Sequence, residues 1–165
     1  MYGGESVSSL YSALTCRPDA TLSAMTSGWF AAGALLAGAG VGLGAFGAHG
    51  LKSKVSADML AVFEVGVRYQ VYHALALLAV SWATTRWPGT WVNASGWLFL
   101  AGILLFSGSL YVMTFTGQRW LGAVTPLGGV CFILGWVFLA LAAVSNRSRT
   151  RSATIRWRGF ASPCR

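Results

Sequence analysis

Glu64, Arg68 and Tyr72 stand at i, i+4 and i+8, the spacing that gathers three side chains on one face of a helix. An acid and a base set in an otherwise apolar stretch are candidates for a ligand or proton site. His49, on the preceding antiparallel helix, falls at a similar level to the start of this one. Tyr111 and Ser107, counted back from a turn near residue 88, fall at the depth of residues 64–70. Tyr69, Gln70 and His73 form a second polar stripe on another side of the same helix, within reach of Ser107 or Ser109 for interhelical hydrogen bonds of about 1 kcal/mol each. These residues make up the candidate polar cluster, and it has two readings. Either an ion pair and hydrogen bonds let a short apolar helix sit in lipid, or the groups hold a ligand or relay a proton. The first is favoured, because Arg68 can extend its charge to the membrane boundary.

Other chemistries fit less well. Two histidines suggest axial haem ligation, but His49 and His73 differ in depth by roughly 18 Å along their helices. One iron cannot take both. A metal site built from His49, Asp58 and Glu64 lacks any fixed ligand spacing. The run Gly42-Leu43-Gly44-Ala45-Phe46-Gly47 matches a dinucleotide-binding pattern, yet that chemistry needs a strand before the glycines, and here they lie within a helix. Packing explains them better: Gly38/Gly42 and Gly40/Gly44 are small-xxx-small pairs that let helices approach closely. Cys16, Cys131 and Cys164 show neither paired nor metal-like spacing. No nucleophile–base pair stands out, so neither an enzyme nor a bound cofactor is expected.

The elements that carry these residues follow from the charge distribution. The chain has 165 residues, of which 55% are hydrophobic and 10% charged, against about 25% charged in a soluble domain. A soluble fold could not cover itself with so few charges. No charge occurs in 20–51, 87–118 or 120–146, and each run exceeds the ~20 residues a helix needs to cross a bilayer. The run 69–85 is shorter, so its helix must begin upstream and carry Glu64 and Arg68 toward the boundary. Helices are therefore expected over 28–48, 58–83, 93–116 and 125–144. The fold class is an all-α membrane protein, a bundle of four transmembrane helices. Thr125-Pro126 reads as an N-cap followed by the first helical position, and Trp87-Pro88-Gly89 as a turn. Trp29, Trp87, Trp91 and Trp120 fall near helix ends, as interface anchors do. A β-barrel is excluded because the apolar runs do not alternate.

Residues 1–27 are Ser/Thr-rich and aperiodic and read as a disordered leader, with Met25 a candidate start. A cleaved signal peptide is the rival reading of the first helix, but Arg17 is its only upstream cation. Residues 145–165 read as a disordered tail carrying Arg147, Arg149, Arg151, Arg156, Arg158 and Arg165 without an acid. Directly after a membrane helix, such a run is expected to set topology or touch anionic lipid rather than nucleic acid. With four crossings, eight arginines collect on the side of the termini, against Lys52, Lys54 and Arg119 opposite. The positive-inside rule then puts both termini in the cytoplasm.

Several stretches together resemble a known family. They are Gly44-Ala45-Phe46-Gly47-Ala48-His49-Gly50-Leu51, Phe63-Glu64-Val65-Gly66-Val67-Arg68-Tyr69-Gln70-Val71-Tyr72-His73-Ala74-Leu75, Leu105-Phe106-Ser107-Gly108-Ser109-Leu110-Tyr111, Thr125-Pro126-Leu127-Gly128-Gly129 and Gly135-Trp136. The chain is similar over about residues 29–144 to the YgdD-like small membrane proteins, called domain of unknown function four hundred and twenty-three. Their animal relatives are named transmembrane protein two hundred and fifty-six. The resemblance implies a multi-spanning protein of the bacterial cytoplasmic membrane and brings no activity, substrate or cofactor. Beyond the lipid bilayer, the expected partner is a second copy or another membrane protein, met through glycine-rich helix faces. The rival reading is a small oligomeric transporter or channel component, with Glu64, Arg68 and His49 lining a polar path.

Overall fold

The structure is a computed structural model that describes residues 20–158. The leader up to residue 19 and the tail beyond residue 158 lie outside the described residues. Among the described residues, four helices follow one another. α1 is Ala20–Phe46 and continues through a π-helical turn, Gly47–Leu51. α2 is Ala57–Arg86. α3 is Thr90–Thr116, interrupted by a π turn at Ile103–Ser107. A 3-10 turn, Arg119–Ala123, leads to α4, Thr125–Arg158. No strand occurs among the described residues.

Local chemistry sets most of the ends. Ser56 caps α2 by accepting the Met59 amide at 3.3 Å, and Asp58 sits where the helix dipole favours an acid. Pro88 cannot continue α2, which closes with the Trp87 amide donating to the Ala83 carbonyl. α3 stops at Gly117, whose φ of 69° is the left-handed cap that glycine adopts without cost.

Two helices extend past their expected limits. α1 begins at Ala20 instead of residue 28, and α4 runs past residue 144 to Arg158. Neither added segment contains glycine or proline, so nothing in them breaks the ladder. Thr125 is not the N-cap that its place before Pro126 suggests. Val124 is already helical after the 3-10 turn, leaving no extended residue to cap from, and the Thr125 hydroxyl turns to Ser109 at 3.3 Å.

α1, α3 and α4 hold stretches long and apolar enough to cross a membrane: Ser23–Leu51, Thr90–Thr116 and Arg119–Ser145. α2 does not meet that description, although it has 30 residues. The reason lies in its position. α2 packs against α1 along its length and against α3, so Phe63, Ala74, Leu77 and Val80 are fully covered by protein. A helix sheltered by other helices needs less apolar surface than one facing lipid.

Glycines set the spacing between helices. A Cβ at Gly40 would stand 2.5 Å from Val71 Cγ2, and one at Gly33 2.8 Å from the Ala74 carbonyl oxygen, so α1 and α2 nearly touch backbones. Gly102 and Gly135 make the same allowance for the Phe132 and Phe99 rings between α3 and α4, and Gly128 for the Phe106 backbone. Trp29 is not an interface anchor. It is buried against Gly96 of α3, with its indole N–H donating to Asn93 Oδ1 at 3.3 Å.

Candidate functional site

The expected polar cluster divides into an inner seam and an outer stripe. Gln70 anchors the seam from α2. Its amide Nε2 donates to the Leu36 carbonyl of α1 at 2.9 Å, and its Oε1 accepts the Tyr111 hydroxyl of α3 at 2.9 Å. Gly40 makes the first bond reachable, because the Leu36 carbonyl is the one its helical turn presents and no side chain at 40 screens it. One amide thereby ties three helices.

His73, one turn along α2, is also buried. Its Nδ1–H donates to the Tyr69 carbonyl at 2.8 Å, since a carbonyl can only accept. The ring lies flat on Phe132, centroids 3.4 Å apart and planes within 7°, with Phe99 and Trp136 tilted around it. Tyr69 is partly exposed and covers Phe106 at 4.6 Å between centroids. The histidine is therefore packed as an aromatic within a wall of rings.

Ser107 ends the π turn of α3 and is fully buried, yet its Oγ has no hydrogen-bond partner among the described residues. Helical hydroxyls nearby return to a carbonyl of their own helix, as Ser109 does to Phe106 at 2.9 Å and Thr114 to Leu110 at 2.8 Å. Neither Ser107 nor Ser109 bonds to the Tyr69–His73 stripe. That expected pairing is replaced by Gln70 with Tyr111 and Leu36.

His49, Glu64 and Arg68 do not join the seam. His49 is exposed in the π turn after α1, and Glu64 and Arg68 are exposed on the outer face of α2 with Tyr72. No ion pair joins Glu64 to Arg68 among the described residues. Depth matches the expectation, since Tyr111 packs on Phe63 and Gly66. Azimuth does not, because Gln70 lies about 200° around the helix from Arg68.

A further set of polar contacts had no counterpart in the expectations. Near the turn between α2 and α3, Ser81 Oγ donates to the Thr26 carbonyl at 2.8 Å, and the Thr26 and Thr84 hydroxyls meet at 2.9 Å. The available signal was a pair of hydroxyls at i and i+3, Ser81 and Thr84, in an apolar run. At this end an open pocket of about 310 Å³ is lined by Trp87, Thr90, Trp91, Ala142 and Ser145. Among the described residues, no group of three His, Cys, Asp or Glu side chains could hold a metal ion.

Long apolar helices around a neutral, hydrogen-bonded seam define an all-helical integral membrane protein. Residues 43–129 match the family described as "Protein of unknown function (DUF423)". The chain belongs to that family. It is 50% identical over 113 residues to the UPF0382 membrane protein YwdK of Bacillus subtilis (strain 168), a match covering 68% of this chain and 92% of that one. It is also 50% identical over 110 residues to the UPF0382 membrane protein SAB0533 of Staphylococcus aureus (strain bovine RF122 / ET3-1), covering 67% and 89%. The UPF0382 membrane protein SSP2132 of Staphylococcus saprophyticus subsp. saprophyticus (strain ATCC 15305 / DSM 20229 / NCIMB 8711 / NCTC 7292 / S-41) is 51% identical over 111 residues, covering 66% and 90%. No solved structure matches the chain.

Proposed function

We propose that this is a four-pass, non-enzymatic component of the cytoplasmic membrane that works by association, with both termini in the cytoplasm. The observation behind the reading is how α1 uses its glycines. Gly33, Gly40, Gly44 and Gly47 meet side chains or backbone of α2, whereas Gly38 and Gly42 look onto open space. A second small-xxx-small pair, unused by this chain, is the kind of surface on which another membrane helix packs closely. Its occupant is a helix of another membrane protein or of a second copy.

Four crossings are supported by the register of α2. It packs antiparallel to α1 from Phe63, beneath Gly47, to Leu78, beside Gly33. At 1.5 Å per residue its 30 residues extend about 45 Å, more than the ~30 Å hydrocarbon core. The start of α1, the turn at Trp87 and the stretch of α4 near Ser145 gather at one end, and the positive-inside rule, applied to the arginines that follow Ser145, favours that end lying inside.

A photo-crosslinking residue at position 38 tests the reading in native membranes. A discrete protein adduct that disappears with Gly42→Leu is the expected result. Adducts to lipid alone, or a band indifferent to Gly42→Leu, would overturn it. Vesicle flux that falls with Glu64→Gln would favour transport instead.

A further inference from the structure

The outer face of α2 carries a stripe that lipid does not suit. Ala61, Glu64, Arg68, Tyr72, Leu75 and Trp82 follow one another at helical spacing and are all exposed. Tyr72, Leu75 and Trp82 suit a bilayer or its boundary. Glu64 and Arg68 do not.

Their depth follows from the packing. The middle of Thr90–Thr116 lies between Phe99, which faces His73, and Phe106, which faces Tyr69. The middle of Ser23–Leu51 lies between Gly33, beside Ala74 and Leu78, and Gly40, beside Val71. Both place the bilayer centre near residues 69–74 of α2. Arg68 then sits within about 9 Å of the centre and Glu64 within about 15 Å, against a half-thickness of ~15 Å. Charges at that depth normally face a bundle interior and pair with one another. Here they point away from the bundle, with no ion pair between them.

We propose that this stripe is the contact between two copies of the chain, related by a two-fold axis along the membrane normal. Copies inserted in the same orientation meet about such an axis through the same patch of surface. The stripe suits that arrangement because it holds one acid and one base a turn apart. The axis sets each residue level with its own counterpart, and Glu64 of each copy reaches diagonally, one turn or about 6 Å along, to Arg68 of the other, so two ion pairs form and both charges leave the lipid. Leu75 and Tyr72 pack against their own counterparts beside them. A stripe of one sign would repel its copy, and a wholly apolar one would gain little over lipid contact. The proposal concerns α2 and stands apart from whatever helix docks on the glycine face of α1.

The test uses the full chain in lipid vesicles at low protein-to-lipid ratio, read by energy transfer between labelled copies. The native protein should associate. Glu64→Arg makes the stripe wholly basic and Arg68→Glu makes it wholly acidic, and each alone should lose self-association about tenfold or more. Mixed together, the two variants should associate with each other at least as well as the native chain does with itself. That mixed pairing also reports that both variants have folded. A cysteine at position 75 should crosslink between copies, and one at Ile133, which is even more exposed on α4, should not. A native chain that stays monomeric overturns the proposal. So do single variants that self-associate like the native chain, helical and monodisperse variants that fail to pair when mixed, and crosslinking that favours position 133.

Discussion

The same substitution two residues apart on α1 should act in opposite directions. Gly40→Ala places a Cβ 2.5 Å from Val71 Cγ2 and 3.6 Å from Gln70 Nε2. Carbon atoms in good contact stand about 3.5–4.0 Å apart, so α1 and α2 must separate by roughly an ångström. Overpacking of this kind costs about 1–3 kcal/mol. The separation also stretches the 2.9 Å bond from Gln70 to the Leu36 carbonyl, at a cost of about 1 kcal/mol more. Alanine's better helix propensity returns about 1 kcal/mol, leaving a net loss of about 1–3. Gly38→Ala gains the same propensity and meets nothing within 4 Å, so it should be neutral or stabilising by up to about 1 kcal/mol. Reversible unfolding of the detergent-solubilised monomer in mixed micelles, followed by tryptophan fluorescence, separates the two. Equal effects at positions 38 and 40 would show that α1 does not present its glycines to α2 in this register, and the reasoning would fail.

Ser107→Ala should stabilise the protein by about 1 kcal/mol in the same assay, because it removes a buried hydroxyl that has no partner. A destabilisation of similar size would mean that something bonds to Ser107 Oγ. Tyr111→Phe leaves Gln70 Oε1 buried and unpaired and should cost about 1–2 kcal/mol, with the helix content by circular dichroism unchanged. Gly117→Ala meets no atom within 4 Å, so its cost of about 1–2 kcal/mol comes from the φ of 69° alone, and Gly117→Asn should recover part of it. An unfolding midpoint indifferent to Gly117→Ala would contradict the left-handed cap.

Depth along a membrane helix can be counted from residue numbers, and direction around it cannot. Glu64, Gln70, Ser107 and Tyr111 were expected at one level, and Tyr111 indeed packs on Phe63 and Gly66. Whether Gln70 or Arg68 faces the bundle depends on which neighbour lies on which side, and both sides of α2 are polar at that level. The glycine pairs pose the same problem. Gly38/Gly42 and Gly40/Gly44 are equally good motifs on opposite faces, and only Val71 and Val67 on α2 decide that the second pair is used. The four helices were legible for the converse reason. Lipid forces every backbone group into the ladder, so long runs without charge can be little else. The π turn at Ile103–Ser107 was not legible, because Phe106 seated against Gly128 and Ser107 buried without a partner are consequences of packing between helices.

α2 shows how a helix too polar to read as a membrane span can still be well covered. On its inner side, Gln70, His73, Ser81 and Thr84 each find a partner in α1, in α3 or within α2 itself, so their polarity costs little once the bundle has formed. On its outer side Glu64 and Arg68 have no such relief, and the bundle cannot supply it by tightening. The two sides should therefore respond differently to solvent. Inner substitutions such as Tyr111→Phe weaken the fold in detergent and in lipid alike, because their partners belong to the same chain. Outer substitutions should be nearly silent in detergent, where head groups and water reach the stripe and exposed charges contribute little. They should emerge only in a bilayer, where hydrocarbon replaces water around the same two charges. A Glu64 substitution that unfolded the detergent-solubilised monomer would place Glu64 among the inner contacts and remove the distinction between the two faces.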